Sequence, residues 1–197
     1  MLSQLRPALV ATLFFTALLG VGYPLAVTGV ARLVFPVQAG GGLIRDAGGQ
    51  VIGSRLIAQG FNRPEYLHPR PSAAGTNGYD ASGSSGSNLG PLNRALSERV
   101  AKDAAALRSE APGRPIPADA VTTSGSGLDP DISPANALRQ AQRIAAARGI
   151  PTTDVERVIA ARTRGPVLGF LGQPAVNVLE TNLALDAAFP GAHPKVP

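Results

Sequence analysis

The sequence contains no cysteine and no tryptophan, only two histidines, and aromatic residues make up 5% of its 197 positions. Without cysteine there can be no disulfide and no thiolate ligand for zinc. The two histidines, His68 and His193, are far apart in the chain, and their spacing matches no zinc site, so we predict no metal site. With so few aromatic residues, the core of a folded domain must be built from leucine, isoleucine, valine and alanine.

Charge is also limited. The chain has 18 basic and 13 acidic residues, a formal net charge of +5. The basic residues are spread from Arg45 to Lys195, with few aromatic residues between them on which bases could stack. This pattern disfavours binding to nucleic acid. The 23 glycines and 18 prolines predict many turns and irregular connections.

One long hydrophobic run stands out against this background. Residues 7–31, PALVATLFFTALLGVGYPLAVTGVA, carry no charge and lie between Arg6 and Arg32. About 20 apolar residues of helix cross a bilayer core of about 30 Å, so this run is long enough to span with some tilt. A cleaved signal peptide is the alternative, in which a secreted periplasmic binding protein would be released after Ala39. Because the apolar region of a signal peptide has only about 7–15 residues, a retained anchor is favoured.

Small residues recur along this run at every fourth position, at Ala8, Thr12, Thr16 and Gly20. This spacing puts them on one helix face, where small side chains let a second membrane helix approach closely. Pro24 is expected to kink the helix, because it lacks a backbone donor. We therefore predict a transmembrane anchor over residues 1–35 and one extramembrane domain over residues 36–197.

Strand and helix signals both occur in the domain without regular alternation, which predicts an α+β fold. Residues 42–57 have the pattern of a hairpin, residues 61–72 are too rich in proline for a helix, and residues 73–90 form a long Gly/Ser loop. Helical spacing or capping patterns predict helices over residues 91–108, 134–148, 153–162 and from Val176 to before Pro190, and a strand and turn are predicted over residues 165–172.

The predicted helix over residues 134–148 has the clearest boundaries. Ser133 is a favoured N-cap, Pro134 suits the first helical position, and Gly149 suits the C-terminal cap. We expect this helix to bury Leu138, Ala141, Ile144 and Ala145, and to expose Arg139, Gln140, Gln142 and Arg143. The next helix begins with the capping-box pattern Thr153-Asp154-Val155-Glu156.

The serine-rich loops do not carry a recognisable catalytic motif. Ser124-Gly125-Ser126-Gly127 lacks the first glycine of the G-x-S-x-G nucleophile motif, and only two histidines could act as a base. Gly/Ser loops before helices can cradle phosphate groups, but neither loop contains the Gly-Lys-Ser/Thr of a Walker A motif. We predict no catalytic residues, and tight turns with helix caps are favoured over phosphate binding.

Several segments resemble a known family over nearly the whole chain. GSRLIAQGFNRPEYLHPRPSA, ASGSSGSNLGP, VTTSGSGLDPDISPANALRQAQRIAAARG and LGFLGQPAVNVLETNLALD, in this order, closely resemble the C subunits of the bacterial potassium-transporting Kdp ATPase. The resemblance implies a non-catalytic subunit of a high-affinity complex that imports K⁺ using ATP. Its expected partners are a channel-like potassium-binding subunit, a P-type ATPase subunit and the lipid bilayer. In this family the subunit stabilises the assembly and is described as a catalytic chaperone that raises the ATP affinity of the ATPase subunit.

The resemblance also implies a location and a possible nucleotide contact. Ser124, Gly125, Gly127 and Gln140 would be compared with the signature motif of ABC transporters, although Gln140 lies well beyond the Ser/Gly run. No tightly bound cofactor is expected, and ATP would be shared with the ATPase subunit. The family is single-pass in the cytoplasmic (inner) membrane with the domain outside, where loops cannot meet cytoplasmic ATP.

An outer location suggests a different role for these loops. We expect them to be docking surfaces, with Asp129 and Asp131 steering K⁺ through their local field.

Overall fold

The computed structural model describes residues 2–190. The chain divides into two compact units, Met1–Leu43 and Ile44–Pro197. In the first unit, a short 3₁₀ turn (Leu2–Gln4) leads into α1 (Leu5–Ala17), a π-helical turn (Leu18–Gly22), α2 (Tyr23–Val34) and the short α3 (Pro36–Ala39). Leu5–Val34 is long and apolar enough to cross a membrane, and none of it is buried within the protein. This confirms the predicted candidate span.

The π-helical turn lies directly before Pro24. The backbone N–H of Tyr23 donates to the carbonyl of Leu18, five residues earlier, as a π-helix requires. A proline in a helix cannot donate, and its ring clashes with the carbonyl four residues earlier, here that of Gly20. The wider π turn relieves this conflict. The expected disturbance at Pro24 therefore takes the form of a π-helical turn.

The second unit is mixed helix and sheet, which confirms the α+β prediction. β1 (Leu43–Arg45) and β2 (Val51–Ser54) pair as the predicted hairpin. Between them the Asp46 carboxylate accepts the backbone N–H groups of Gly48 and Gln50, both at 2.9 Å. Such side-chain bonds to the local backbone are typical of turns that begin with aspartate.

A three-stranded antiparallel sheet lies at the centre of the unit. Its strands are β3 (Asp131–Ile132), β4 (Thr163–Arg164) and β5 (Ala175–Asn177), in the order β3-β5-β4. Val176 in the central strand is opposite Ile132 on one side and Thr163 on the other. This register joins three segments of the C-terminal half of the domain in one sheet.

Three helices form the core with this sheet: α5 (Pro134–Arg148), α6 (Thr152–Arg162) and α7 (Val178–Ala188). α4 (Arg94–Glu110) buries only Ala104. The core cluster is aliphatic apart from two aromatic side chains, as the composition predicts. It comprises Phe61, Tyr66, Leu67, Ile132, Ala137, Ala141, Ile144, Ala145, Val155, Ile159, Val176, Val178, Leu179 and Leu185.

Three predicted helix starts were wrong. α4 begins at Arg94 rather than at Pro91, because the Asn93 side chain caps it by accepting the N–H of Ala95 at 2.9 Å. The capping box at Thr153 does not form, since α6 already starts at Thr152 and its N-cap is Pro151. α7 begins after Val176, because that residue belongs to β5.

The predicted caps of α5 were right and its predicted faces were partly wrong. The Ser133 hydroxyl accepts the N–H of Asn136 at 3.1 Å, and Gly149 is left-handed at φ 67°. However, Leu138 is 39% exposed, whereas Arg139 and Gln140 are buried. These two polar side chains are buried because they hydrogen-bond to groups elsewhere in the domain, as described next.

Candidate functional site

Two side-chain amides bind the proline-rich segment over residues 61–72. The N–H of Leu67 donates to Asn182 Oδ1 at 2.7 Å, and Asn182 Nδ2 donates back to the Leu67 carbonyl at 3.0 Å. The N–H of His68 donates to Gln140 Oε1 at 2.8 Å, and Gln140 Nε2 donates to the His68 carbonyl at 3.0 Å. Gln140 and Asn182, here called the amide clamp, are both buried. Their side chains supply the hydrogen bonds that a neighbouring strand would otherwise give to the N–H and carbonyl groups of this backbone.

Two arginines continue the clamp along the same segment. Arg143 donates to the carbonyl of Tyr66 at 3.0 Å, and Arg148 donates to the carbonyl of Glu65 at 2.8 Å. Arg148 also pairs with Asp186 at 2.7 Å, and Asp186 accepts the Tyr66 hydroxyl at 3.2 Å. Burial, and then the neighbouring Asp186 carboxylate, raise the pKa of Tyr66. The phenol therefore stays protonated and donating at neutral pH.

The last residue of α4 is held to α5 by charge. Glu110 pairs with Arg139 at 3.1 Å and with Arg143 at 2.5 Å. Burial alone would raise the pKa of Glu110, but the hydrogen bond from Arg139 and the charge of Arg143 bring it below its usual range. Glu110 thus connects α4 to the face of α5 that binds residues 61–72.

The Gly/Ser loops over residues 73–90 and 121–130, here called the loop pair, bind each other. The carbonyl of Ser126 accepts the N–H of Ser85 at 2.9 Å and the hydroxyl of Ser84 at 3.1 Å. The carbonyl of Gly127 accepts the hydroxyl of Ser72 at 2.6 Å. Many of the loops' polar groups are therefore engaged within the domain.

Gly127 is required by the close approach of the two loops. Its φ is +67°, and a Cβ at this position would lie 2.5 Å from the carbonyl oxygen of Ser85 and 2.8 Å from the amide nitrogen of Ala74. Only glycine allows the two backbones to come so close. Gly125, in the same loop, has open space where a Cβ would be.

The four residues predicted for nucleotide contact fall in two places. Ser124, Gly125 and Gly127 lie in the loop pair, where the buried Ser124 hydroxyl is 3.4 Å from the N–H of Asp129. Gln140 belongs to the amide clamp, and its Oε1 also accepts from Arg143 at 2.6 Å. Both ends of the Gln140 carboxamide are thus bound to the protein itself.

The acidic loop residues are paired with arginines. Asp129 accepts from Arg70 at 3.0 Å, and Asp131 accepts from Arg164 at 2.6 Å. Within residues 2–190 no group of three or more histidine, cysteine or carboxylate side chains could hold a metal ion. The charge of each aspartate is therefore partly neutralised where it stands.

Of the two histidines that could act as a catalytic base, His68 lies among the described residues. Its Nε2 is 3.0 Å from the carbonyl of Arg63, so the imidazole satisfies this backbone group when Nε2 is protonated. Burial and the nearby Arg143 lower the pKa of His68, which favours the neutral ring. His193 lies outside the described residues.

The small-residue face of the anchor is open. Ala8, Thr12, Thr16 and Gly20 are all exposed. Thr12, Thr16 and Gly20 line a shallow groove together with Ala11, Phe15 and Leu19.

Sequence reasoning missed the amide clamp, and Asn182 in particular. A usable signal was present, since Asn182 lies at helical spacing from the apolar Val178, Leu179 and Leu185. Residues 61–72 contain three prolines and must find hydrogen-bond partners outside a sheet.

Comparison with known proteins gives a consistent result over almost the full length. The family model described as "K+-transporting ATPase, c chain" (KdpC) matches residues 5–187. The chain is 67% identical over 190 residues to the potassium-transporting ATPase KdpC subunit of Caulobacter vibrioides, covering 96% of both chains. It is 60% identical over 199 residues to that of Beijerinckia indica, covering 100% of both, and 50% identical to that of Koribacter versatilis, covering 99% of this chain.

Proposed function

Because the chain belongs to the KdpC family of K⁺-transporting ATPase subunits, we propose that it is a non-catalytic accessory subunit that stabilises a high-affinity, ATP-driven potassium import complex. The observation that carries this is the family match over residues 5–187, which includes the candidate span, the amide clamp and the loop pair. The neutral His68 and the loop pair's internal bonds support a structural role for these polar residues.

A mild-detergent pull-down of the full chain, analysed by mass spectrometry, tests this proposal. The expected result is co-purification with a channel-like potassium-binding subunit and a P-type ATPase subunit, in a complex whose ATPase activity responds to K⁺. Recovery of the chain without larger membrane proteins would refute it. So would a mature chain that lacks residues 1–39, since that mass identifies the released binding protein.

The anchor joins the complex through its small-residue face. Thr12, Thr16 and Gly20 are open to solvent in the single chain, and small side chains favour close helix contact in a membrane. Gly20→Ile is expected to release the partners in detergent. Gly29→Ile is the matched control: Gly29 is equally open, and it lies in α2, beyond the π-helical turn, so it is not part of this face. Equal loss with both variants would contradict a specific docking face.

The domain lies outside the cytoplasmic membrane, and it raises the ATP affinity of the ATPase subunit indirectly, through subunit contacts. Support comes from Gln140, whose carboxamide is already bound to His68 and Arg143. A direct contact of Ser124, Gly125, Gly127 and Gln140 with ATP is the competing proposal.

Cysteine labelling separates the two. The chain has no cysteine, so Ser126→Cys and Ser97→Cys each introduce one exposed thiol. In intact spheroplasts both thiols should react with a membrane-impermeant reagent. Reaction only after lysis would place the domain inside and favour direct ATP contact.

A further inference from the structure

An exposed apolar hairpin connects β4 to β5. Val167 and Leu171 exchange two backbone hydrogen bonds, of 2.8 and 2.9 Å, and close a turn around Gly169. The four large side chains of this turn point away from the core, with exposures of 67% for Val167, 78% for Leu168, 74% for Phe170 and 52% for Leu171. We call these four residues the apolar tip. Contiguous apolar exposure of this kind marks an interaction site more often than chance exposure of single residues.

The backbone holds the tip in one shape. Leu168 has a φ of +55°, a left-handed conformation that is unfavourable for a residue with a Cβ. The N–H of Gly169 donates to the Pro166 carbonyl at 3.1 Å, and that of Phe170 to the Val167 carbonyl at 3.3 Å. A preformed loop loses little conformational freedom on binding, so its apolar side chains can contribute fully to affinity.

The surroundings of the tip distinguish a protein partner from a lipid surface. Residues 165–179 contain no charged side chain, and the preceding Arg164 is paired with both carboxylate oxygens of Asp131. Gln173, Pro174 and Ala175, at the base of the hairpin, line a cleft that also contains Arg70 and the carboxylates of Asp119, Asp129 and Asp131. Asp129 and Asp131 are paired with Arg70 and Arg164, so Asp119 leaves this cleft with a net negative charge. That charge disfavours anionic headgroups, whereas loops that enter a bilayer interface carry free lysine, arginine, tryptophan or tyrosine.

We propose that the apolar tip inserts into an apolar pocket, rimmed by cationic side chains, on an integral membrane subunit of the complex. Phe170 is the central residue of this contact, since large aromatic side chains dominate protein interfaces. The cations of the rim face Asp119, whose carboxylate accepts from Ser133 and Asn136. This inference rests on the proposed function, because it requires that the chain assembles with such a subunit.

Photocrosslinking in the intact complex tests the partner directly. Phe170 is replaced by p-benzoyl-phenylalanine in the full chain, and membranes are irradiated before purification. We expect a covalent adduct with a larger membrane subunit, and none from the exposed control position Ser97. An adduct with lipid only, an adduct with a second copy of this chain, or no adduct while the complex remains assembled would overturn the inference and leave the proposed function intact. Absence of any larger membrane protein in the purified sample would overturn both.

A variant pair measures the strength of the contact. Leu168→Ser with Phe170→Ser is expected to speed loss of the chain from the detergent-solubilised complex by about tenfold or more. The unfolding midpoint of the isolated full chain should not fall, because both side chains are exposed. Leu92→Ser, at a leucine that is 99% exposed in another loop, is the control and should dissociate at the wild-type rate. Equal dissociation of both variants would contradict the proposed contact.

Discussion

The apolar helices α1 and α2 are exposed, whereas α5 is a polar helix that is partly buried. Half of the residues that α5 buries are polar. No residue of α1 or α2 is buried within the chain. α5 buries eight residues, of which Asn136, Arg139, Gln140 and Arg148 are polar. In the anchor, the backbone bonds are satisfied within the helix and the side chains only need an apolar solvent. In α5, Gln140 and Arg148 leave water because they supply hydrogen bonds that residues 61–72 cannot make for themselves. Asn136 and Arg139 bond to carboxylates, those of Asp119 and Glu110. Burial is thus set by the demands of the neighbouring backbone as well as by hydrophobicity.

Among the substitutions considered for stability, removing one amide of the amide clamp should lower the free energy of unfolding most. In Asn182→Leu, the N–H and carbonyl of the fully buried Leu67 lose their partners. Each unsatisfied buried group costs about 1–3 kcal/mol, so we expect the free energy of unfolding to fall by about 2–4 kcal/mol. Urea unfolding of the full chain in detergent, followed by circular dichroism, measures this. Gln142→Leu, at an exposed position of α5, should change the value little; similar losses in both would refute the clamp.

Gly127→Ala tests whether the loop pair also depends on close backbone contact. The added methyl group would collide with the Ser85 carbonyl and require a left-handed alanine. We expect a loss of about 1–3 kcal/mol in the free energy of unfolding and faster proteolysis of residues 73–90. Gly125→Ala is the matched control in open space. If the two variants are equally stable, the loops are not held by this approach.

The Glu110 contact should make stability depend on acid. Its folded pKa lies below the unfolded value, so its contribution is complete above about pH 4.5 and is lost as the pH falls through the folded pKa. Glu110→Gln should lower the free energy of unfolding at pH 7 by about 1 kcal/mol, because two partly buried ion pairs are replaced by neutral contacts. It should also flatten the decline below pH 4.5. An unchanged slope between pH 3 and 5 would show that other carboxylates carry the acid response.

The smallest effect on folding is expected in the anchor. Gly20→Ile leaves the unfolding of the domain unchanged, because Gly20 has open space around it in the single chain. The measurement is the same urea titration, with Gly29→Ile beside it. A clear loss of domain stability in Gly20→Ile alone would show that the anchor and the domain are energetically coupled.

Local signals predicted much of this fold, and long-range hydrogen bonds account for the buried polar side chains that they missed. The caps Ser133 and Gly149 and the hairpin turn at Asp46 depend on neighbouring residues, so their patterns could be read directly. The burial of Gln140 depends on His68, which is 72 positions away, and hydrophobic periodicity therefore assigned Leu138 to the core in its place. The same limit applies to the site: Ser124, Gly125 and Gly127 were correctly grouped in one loop, but the role of Gln140 in binding residues 61–72 was not predicted.

The π-helical turn at Leu18–Gly22 changes the angular register of the whole span. One extra residue in a turn rotates everything after it by about 100° relative to a continuous α-helix. The face that carries Ala8, Thr12 and Thr16 therefore does not continue along α2, which presents a different sector to its surroundings. A single membrane crossing can in this way contact two neighbours, one in each leaflet.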